Sequence, residues 1–188
     1  MSFLTENELS ELGLAAYGNN VKISKNCSIY GSENIHIGDN VRIDDFCILS
    51  AGDGGIRIGN YIHIACYVSI IGQGAVSLDD FSGLSSRVAI YSSNDDYSGN
   101  AMTNPTVPPE YTNVMHGPVK LNKHVLVGSS SIILPNVELG EGCCIGAQSL
   151  VTRNCVDFGI YMGTPAKKIK NRSRKLIGLE KEFCKNGY

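Results

Sequence analysis

Several absences narrow the class of this chain before any motif is considered. No window is long and apolar enough to span a bilayer, and the acidic opening MSFLTENELSEL lacks the apolar core of a secretory signal. A cytoplasmic protein without membrane insertion is therefore expected. No run of lysine and arginine is long enough to follow a phosphate backbone, and the net charge is only −2 over 188 residues, so nucleic acid is not an expected partner. The seven cysteines form no CxxC and no paired spacing, and their number is odd. That excludes a disulfide framework and leaves seven reduced thiols as the expectation. Proline is scarce too. Four of the six fall between Pro105 and Pro118, in one irregular stretch.

What the chain does have is a period. Leu121, Val127, Ile133, Leu139, Ile145 and Val151 lie six residues apart, and Val119, Val125, Ser131, Val137, Cys143 and Ser149 each precede one of them by two. Residues two apart on an extended chain face the same way, so each hexad is a short strand with one inward face. The same rhythm runs through Ile23, Ile29, Ile37 and Ile43, then Ile58, Ile64, Ile70, Leu78, Leu84 and Ile90, with two eight-residue steps. A fixed short period is the mark of a solenoid whose repeats bury a core only by stacking. A β-sandwich would instead show turn clusters at wider, irregular spacing. Three hexads per turn give a triangular prism. Gly128, Gly140 and Gly146 follow the aliphatic residue and are expected to relieve the corners.

One domain, an all-β solenoid, thus spans residues 1–188. Residues 4–16 read as a short helix that caps the blunt end, with a capping box at Thr5 and Glu8. The solenoid occupies 21–163, and the tail over 171–186 reads as a second helix with Leu176, Ile177, Leu179 and Phe183 on its apolar side. Between Tyr91 and Pro118 no six-residue spacing can be drawn. A loop of that length inside a compact domain is usually functional, and the polar and aromatic residues here suit a docking surface. Asn94, Asp95, Asp96 and Tyr97 enter it, and His116 closes it. In the early coils Asp44, Asp45, His63 and Cys66 are the chemistry-capable residues. Lys167, Lys168, Lys170, Arg172, Arg174 and Lys175 make the tail basic, either as a solvated tail or as a clamp for phosphate.

The [LIV]-G-x-x-x-x repeats, the loop leaving a late coil and the closing Gly163-Thr164-Pro165-Ala166-Lys167-Lys168-Ile169 resemble the hexapeptide-repeat acyltransferases. The nearest branch is the galactoside, maltose and sugar O-acetyltransferases, with their nucleotide-amino-sugar N-acyltransferase relatives. The resemblance covers roughly Val21 to Arg172 and implies a left-handed parallel β-helix. It also implies a homotrimer with active sites between subunits and acetyl-CoA, or another short acyl-CoA, as co-substrate without a metal. A sugar acceptor follows, either a hydroxyl or a nucleotide-linked amine, in surface polysaccharide (O-antigen) biosynthesis. Carried over residue by residue, the resemblance places coenzyme A against Ser129, Ala147, Thr152, Arg153, Lys167 and Lys170, with Arg172 as an extra candidate.

The sequence departs from that family at the base. The loop-opening histidine of the sugar O-acetyltransferases aligns with Asp95. A carboxylate is a weak base for a hydroxyl at neutral pH unless burial raises it, and Asp95 and Asp96 could raise one another in a dry cleft. Two routes stay open: His116 supplies an imidazole from the far end of the loop, or the acceptor is an amine that Asp95 or Asp96 orients. Asn94, Gln73, Tyr97 and His63 are the expected acceptor contacts. Two other classes remain alternatives. One is a trimeric zinc hydratase of the carbonic anhydrase type, which needs three converging histidines; the other is a non-catalytic solenoid, which would repeat identical outward residues.

Overall fold

The structure, a computed structural model, describes residues 2–187. Its body is a parallel β-solenoid of three sheets, named here faces P, Q and R in the order the chain visits them. Face P stacks Ala16–Tyr17, Ile35–Ile37, Ile56–Ile58, Val76–Leu78, Val119–Leu121 and Val137–Leu139. Face Q stacks Lys22–Ile23, Arg42–Ile43, His63–Ile64, Gly83–Leu84, Leu126–Val127, Cys144–Ile145 and Gly159–Met162. Face R stacks Ser28–Tyr30, Ile48–Ala51, Ser69–Gly72, Ala89–Tyr91, Ile132–Ile133 and Leu150–Val151.

In-register pairing places like on like. Ile23, Ile43, Ile64, Leu84, Val127 and Ile145 form one buried column on face Q, and Leu49, Ile70, Ile90, Ile133 and Val151 form another on face R. Each such side chain contributes roughly 1.5–3 kcal/mol by leaving water.

At the corners a side chain is excluded, as expected, by the neighbouring coil. Gly128, Gly140 and Gly146 do not adopt left-handed backbone; they are small because the next coil lies against them. A Cβ on Gly128 would meet the Ala147 amide nitrogen at 2.6 Å, and one on Gly140 the Asp157 amide nitrogen at 2.6 Å. The left-handed positions fall instead on asparagines, serines and ringed side chains such as Asn40, Tyr61, Phe81 and His124. Stacking offsets their strain. Tyr61 lies flat on Phe81 at 5.0 Å, and Phe81 on His124 at 5.2 Å, along the corner between P and Q.

The ends differ from expectation. The first helix, α1, covers only Glu6–Ser10, with the expected capping box at Thr5 and Glu8. Gly13 turns left-handed after it, and Ala16–Tyr17 already joins face P. At the other end Lys167–Asn171 forms a strand antiparallel to Gly159–Met162, and the second helix, α2, starts later, at Lys175–Lys185. It is clamped to the P–Q corner. Phe183 sits edge-on to Tyr61 and Phe81, while Glu180 accepts from Lys123 and pairs with His124 Nε2 at 2.7 Å. Arg172 donates to the His124 and Gly142 carbonyls at 2.9 and 3.0 Å, so this guanidinium fastens the tail rather than waiting for a phosphate.

The 91–118 excursion leaves from the corner between R and P. Ser93–Asn94 pairs antiparallel with Met115–His116, and the Gly117 amide donates to the Ser92 carbonyl at 2.9 Å, which draws its two ends together. All seven cysteines are free thiols. No helix among the described residues is long and apolar enough to cross a membrane.

Two outcomes follow. Gly140→Ala is expected to cost about 1–3 kcal/mol, through overpacking against backbone, in a denaturant unfolding curve. The Lys123 and His124 hydrogen bonds hold Glu180 below the ordinary carboxylate range, and Glu180 in turn holds Lys123 above its ordinary value. The carboxylate contribution is therefore present at neutral pH and lost as acid passes below that range; the lysine contribution is lost only in strong base. Glu180→Gln is expected to lower the unfolding temperature at pH 7, with the gap to wild type closing as pH falls toward the acid limit.

Candidate active site

Where the excursion meets the R–P corner, a cleft of about 730 Å³ opens between the loop and the coil beneath. Ile71 and Gln73 line its solenoid side; Ser93, Asp95, Asn113 and His116 line its loop side. The hairpin makes this arrangement, because its antiparallel pairing puts Ser93 opposite His116. The Gln73 amide donates to Ser93 Oγ at 2.8 Å, and Ser93 Oγ lies 2.8 Å from His116 Nδ1. With Nδ1–H donating to Ser93 Oγ, Nε2 of the neutral ring is left free as an acceptor. Asp95 is exposed in the same cleft.

Asp96 is not a second carboxylate of that cleft. Its oxygens accept from the Ser98 amide at 2.8 Å and the Ser98 hydroxyl at 2.9 Å. Those bonds hold its pKa below the ordinary value, the backbone amide first, so the expected mutual raising of Asp95 and Asp96 gives way to a local turn that needs the ionised form. Asn94 pairs with Met115 in the hairpin, and Tyr97 is 86% exposed at the loop surface; neither lines the cleft.

His63 lies elsewhere. It projects from face Q, where its Nε2 is 2.8 Å from Asp44 Oδ2, and Arg42 Nε donates to Asp44 Oδ1 at 2.7 Å. Burial pushes the Asp44 carboxyl up, but the His63 and Arg42 hydrogen bonds outweigh it and hold the pKa below the ordinary value. Within one chain Gln73 and His63 therefore stand apart, Gln73 in the loop cleft and His63 in the pocket beside the Q–R corner. The four histidines do not converge either: His36 is on face P, His63 on face Q, His116 in the excursion and His124 at the P–Q corner.

The expected coenzyme contacts divide between two corners. Ser129 and Ala147 stand on the corner between Q and R, one coil apart, with the Gln148 amide donating to the Ser129 carbonyl at 2.9 Å. Below them Ser85 and Ser86 continue the column, and the Ser130 amide donates to the Ser86 carbonyl at 3.0 Å. A pocket of about 400 Å³ opens beside this column, lined by His63, Ala65, Gly83, Ser85, Leu126 and Ser129 among others. Lys167 and Lys170 are exposed on the strand that closes the end of face Q. Thr152 and Arg153 follow Val151 and so fall on the R–P corner, on the side of the loop cleft.

Sequence reasoning passed over Ser93, Ser85, Ser86 and Gly83. The doublet Ser85-Ser86, one coil below Ser129-Ser130, was a readable signal. Ser93 gave none, because its role depends on a pairing across the excursion.

The Asp96 turn can be tested alone. Asp96→Ala is expected to make the excursion several-fold more sensitive to limited proteolysis while the solenoid unfolds as before; Asp95→Ala is expected to change neither. In the wild type, protection should last through the ordinary carboxylate range and disappear only at lower pH, since a depressed carboxylate keeps its bonds until acid passes its folded pKa.

Comparison with known proteins adds the following. A family model described as bacterial transferase hexapeptide (six repeats) matches residues 118–153. A dTDP-4-amino-4,6-dideoxy-D-glucose acyltransferase of Escherichia coli is 56% identical over 183 residues, covering 97% of this chain and 95% of the relative. The crystal structure of AntD, an N-acyltransferase from Bacillus cereus, in complex with dTDP and 3-hydroxybutyryl-CoA superposes with a TM-score of 0.94 at 49% identity, covering 98% of this chain and 97% of that one. A variant of AntD in complex with dTDP-4-amino-4,6-dideoxyglucose and coenzyme A superposes with a TM-score of 0.95 at 48% identity, covering 98% of each chain.

Proposed function

The chain belongs to the hexapeptide-repeat acyltransferases and is an enzyme that moves an acyl group from coenzyme A to a sugar; from that premise we propose that its acceptor is the amine of a nucleotide-linked 4-amino-4,6-dideoxyglucose. One observation carries the layout of the site. The Ser129–Ala147 column and the Asp95–His116 cleft stand on the two corners that flank face R.

Face R is the apolar outer face. Tyr30, Ile48 and Ile132 stand exposed on it, and Ile71, Tyr91 and Leu150 are half-exposed. Three copies that turn this face toward a common axis bury those side chains. The same rotation sets the Q–R corner of one copy beside the R–P corner of the next. The active site is then shared, and the chain works as a homotrimer. Acyl-CoA lies along Ser129 and Ala147 of one subunit, with Lys167 and Lys170 near its phosphates. Thr152 and Arg153 come from the neighbouring corner. Gln73, Asp95 and His116 of that neighbour hold the acceptor, with Asn94 and Tyr97 at its rim.

The chemistry is direct transfer. An amine lone pair attacks the thioester carbonyl, the C–N bond forms, the C–S bond breaks, and coenzyme A leaves as a thiol once a proton has moved. Asp95 attracts and orients the amino group. His116, set by Ser93, takes the proton that the nitrogen must lose. Asp96 keeps the loop turn in place. An amine suits this site better than a hydroxyl, since a free amine is already nucleophilic and asks less of the base. The product fits surface-polysaccharide (O-antigen) assembly, a process of the cytoplasm at the stage of the nucleotide sugar.

Purified protein given acetyl-CoA and dTDP-4-amino-4,6-dideoxyglucose is expected to release free thiol in step with amide formation. Asp95→Asn and His116→Ala are each expected to lower kcat/KM by about 10²–10⁴. Replacing the amine by a hydroxyl should abolish turnover. Wild-type rates in both variants would refute the assigned residues.

A further inference from the structure

Charge is divided along this chain. Residues 154–188 carry eight lysines and arginines against three acids, and the preceding 153 residues carry eight against fifteen, so the closing segment is net +5 and the rest net −7. A parallel solenoid turns chain order into position along its axis. The division therefore sets a basic closing end on an acidic body.

The strand that forms this end, Lys167–Asn171, has all five side chains exposed, on both of its faces. It is the edge of face Q and pairs only with Gly159–Met162. Ile169 stands among its lysines at 59% exposure. Lys175 opens α2 beside it, and Arg174 lies over the Phe158 ring of the last coil at 4.2 Å. Among the described residues no ion pair involves Lys167, Lys168, Lys170 or Lys175. Two acids of the closing segment hold bonds elsewhere: Asp157 accepts from the Glu141 amide at 2.9 Å, and Glu180 is held by Lys123 and His124. Lysines on a bare edge strand discourage end-to-end stacking of copies. An exposed isoleucine among them does the opposite.

We propose that this end docks on the surface of an anionic lipid bilayer. Cations that meet headgroup phosphates, with an apolar side chain between them reaching the acyl boundary, supply both attractions of peripheral membrane contact. Nucleic acid asks instead for a continuous cationic track, which the sequence lacks. The assembly also favours a plane. Three copies turned about a common axis, as in the homotrimer proposed above, set three such ends side by side at one level. Each cation near an anionic surface strengthens binding about fivefold, and the contact is made three times. The inference rests on that homotrimer for its avidity and not on the transfer chemistry. Lys167 and Lys170 serve the coenzyme phosphates when these are bound; Lys168, Ile169 and Lys175 are left for the lipid. The acylated nucleotide sugar is then released beside a membrane.

The test is co-sedimentation of the full chain with vesicles of phosphatidylcholine, alone or with about 30% phosphatidylglycerol, at about 0.15 M and about 0.5 M salt. Wild type is expected to bind the anionic vesicles at least about tenfold more tightly than the neutral ones, and to lose most of that advantage at the higher salt. Lys168→Glu with Lys175→Glu is expected to weaken binding to the anionic vesicles by at least about tenfold, and Ile169→Ser by about threefold. Lys22→Glu with Lys185→Glu makes the same change of net charge away from this end. Lys22 is on the first strand of face Q, and α2 carries Lys185 back from Phe158 toward Tyr61, about 15 Å and beyond the reach of charge at the lower salt. That control should stay within about threefold of wild type. Thermal unfolding at the wild-type temperature shows each variant folded. A wild type that does not bind, equal binding to neutral vesicles, or equal losses in the end and control variants would overturn the proposal. Species heavier than the trimer without vesicles would also overturn it, by assigning the end to a second copy. Thiol release and light scattering on the same preparation report the transfer reaction and the subunit count, so failure of either is seen apart from failure of lipid binding.

Discussion

Parallel stacking in register is the constraint on which this molecule depends. Each residue lies over its counterpart one coil away, so the backbone hydrogen bonds of one rung run into the next; the Arg42, Asp44 and Ile48 amides, for example, donate to the Ile62, Ile64 and Val68 carbonyls at 2.9 Å. A choice made at one position is therefore repeated along a column. Inward, the repetition yields continuous aliphatic columns. At the corners it forbids side chains where coils touch, as at Gly128 and Gly140, and tolerates left-handed Tyr61, Phe81 and His124 because their rings lie on one another.

The same rule organises function. A column of small residues on the Q–R corner makes a groove, since nothing protrudes from Ser85, Ser129 or Ala147 far enough to fill it. Interrupting the rule makes the cleft proposed as the opposing half-site. Among the described residues only the R–P corner sends the chain out of the stack for a long excursion, and the hairpin that closes it sets Ser93 between Gln73 and His116. The α2 clamp works on the third corner, away from both, where Glu180, Lys123 and His124 hold the tail. Each corner thus has a separate structure, and the apolar face R lies between the two that the proposed site uses.

Much of this was legible in the residues. The six-residue period named the solenoid, the interruption after Tyr91 marked the excursion, and the family resemblance pointed to Asp95, which lies in the cleft beside it. Other features were not, for physical reasons. Period says which residues face in, but not which other side chains an exposed residue meets, so the string does not show that His63 pairs with Asp44. Two neighbouring aspartates look alike in a string; the Ser98 amide and hydroxyl make Asp96 a turn residue. Arg172 reads as a phosphate ligand until the His124 and Gly142 carbonyls are seen to occupy it. The corner glycines were recognised as places where a side chain would be in the way, but what it would meet, the coil stacked next to it, needed coordinates.

A site divided between corners of neighbouring copies can be tested by mixing. Asp95→Asn disables one half, and Ala147→Trp blocks the other by filling the groove. Unfolded together and refolded in equal amounts, two inactive variants should recover roughly a quarter of wild-type activity, because random assembly pairs an intact corner with an intact neighbour in that share of sites. Activity that stays at the level of the separate variants would mean that each chain carries its whole site, and the shared-corner geometry would be wrong.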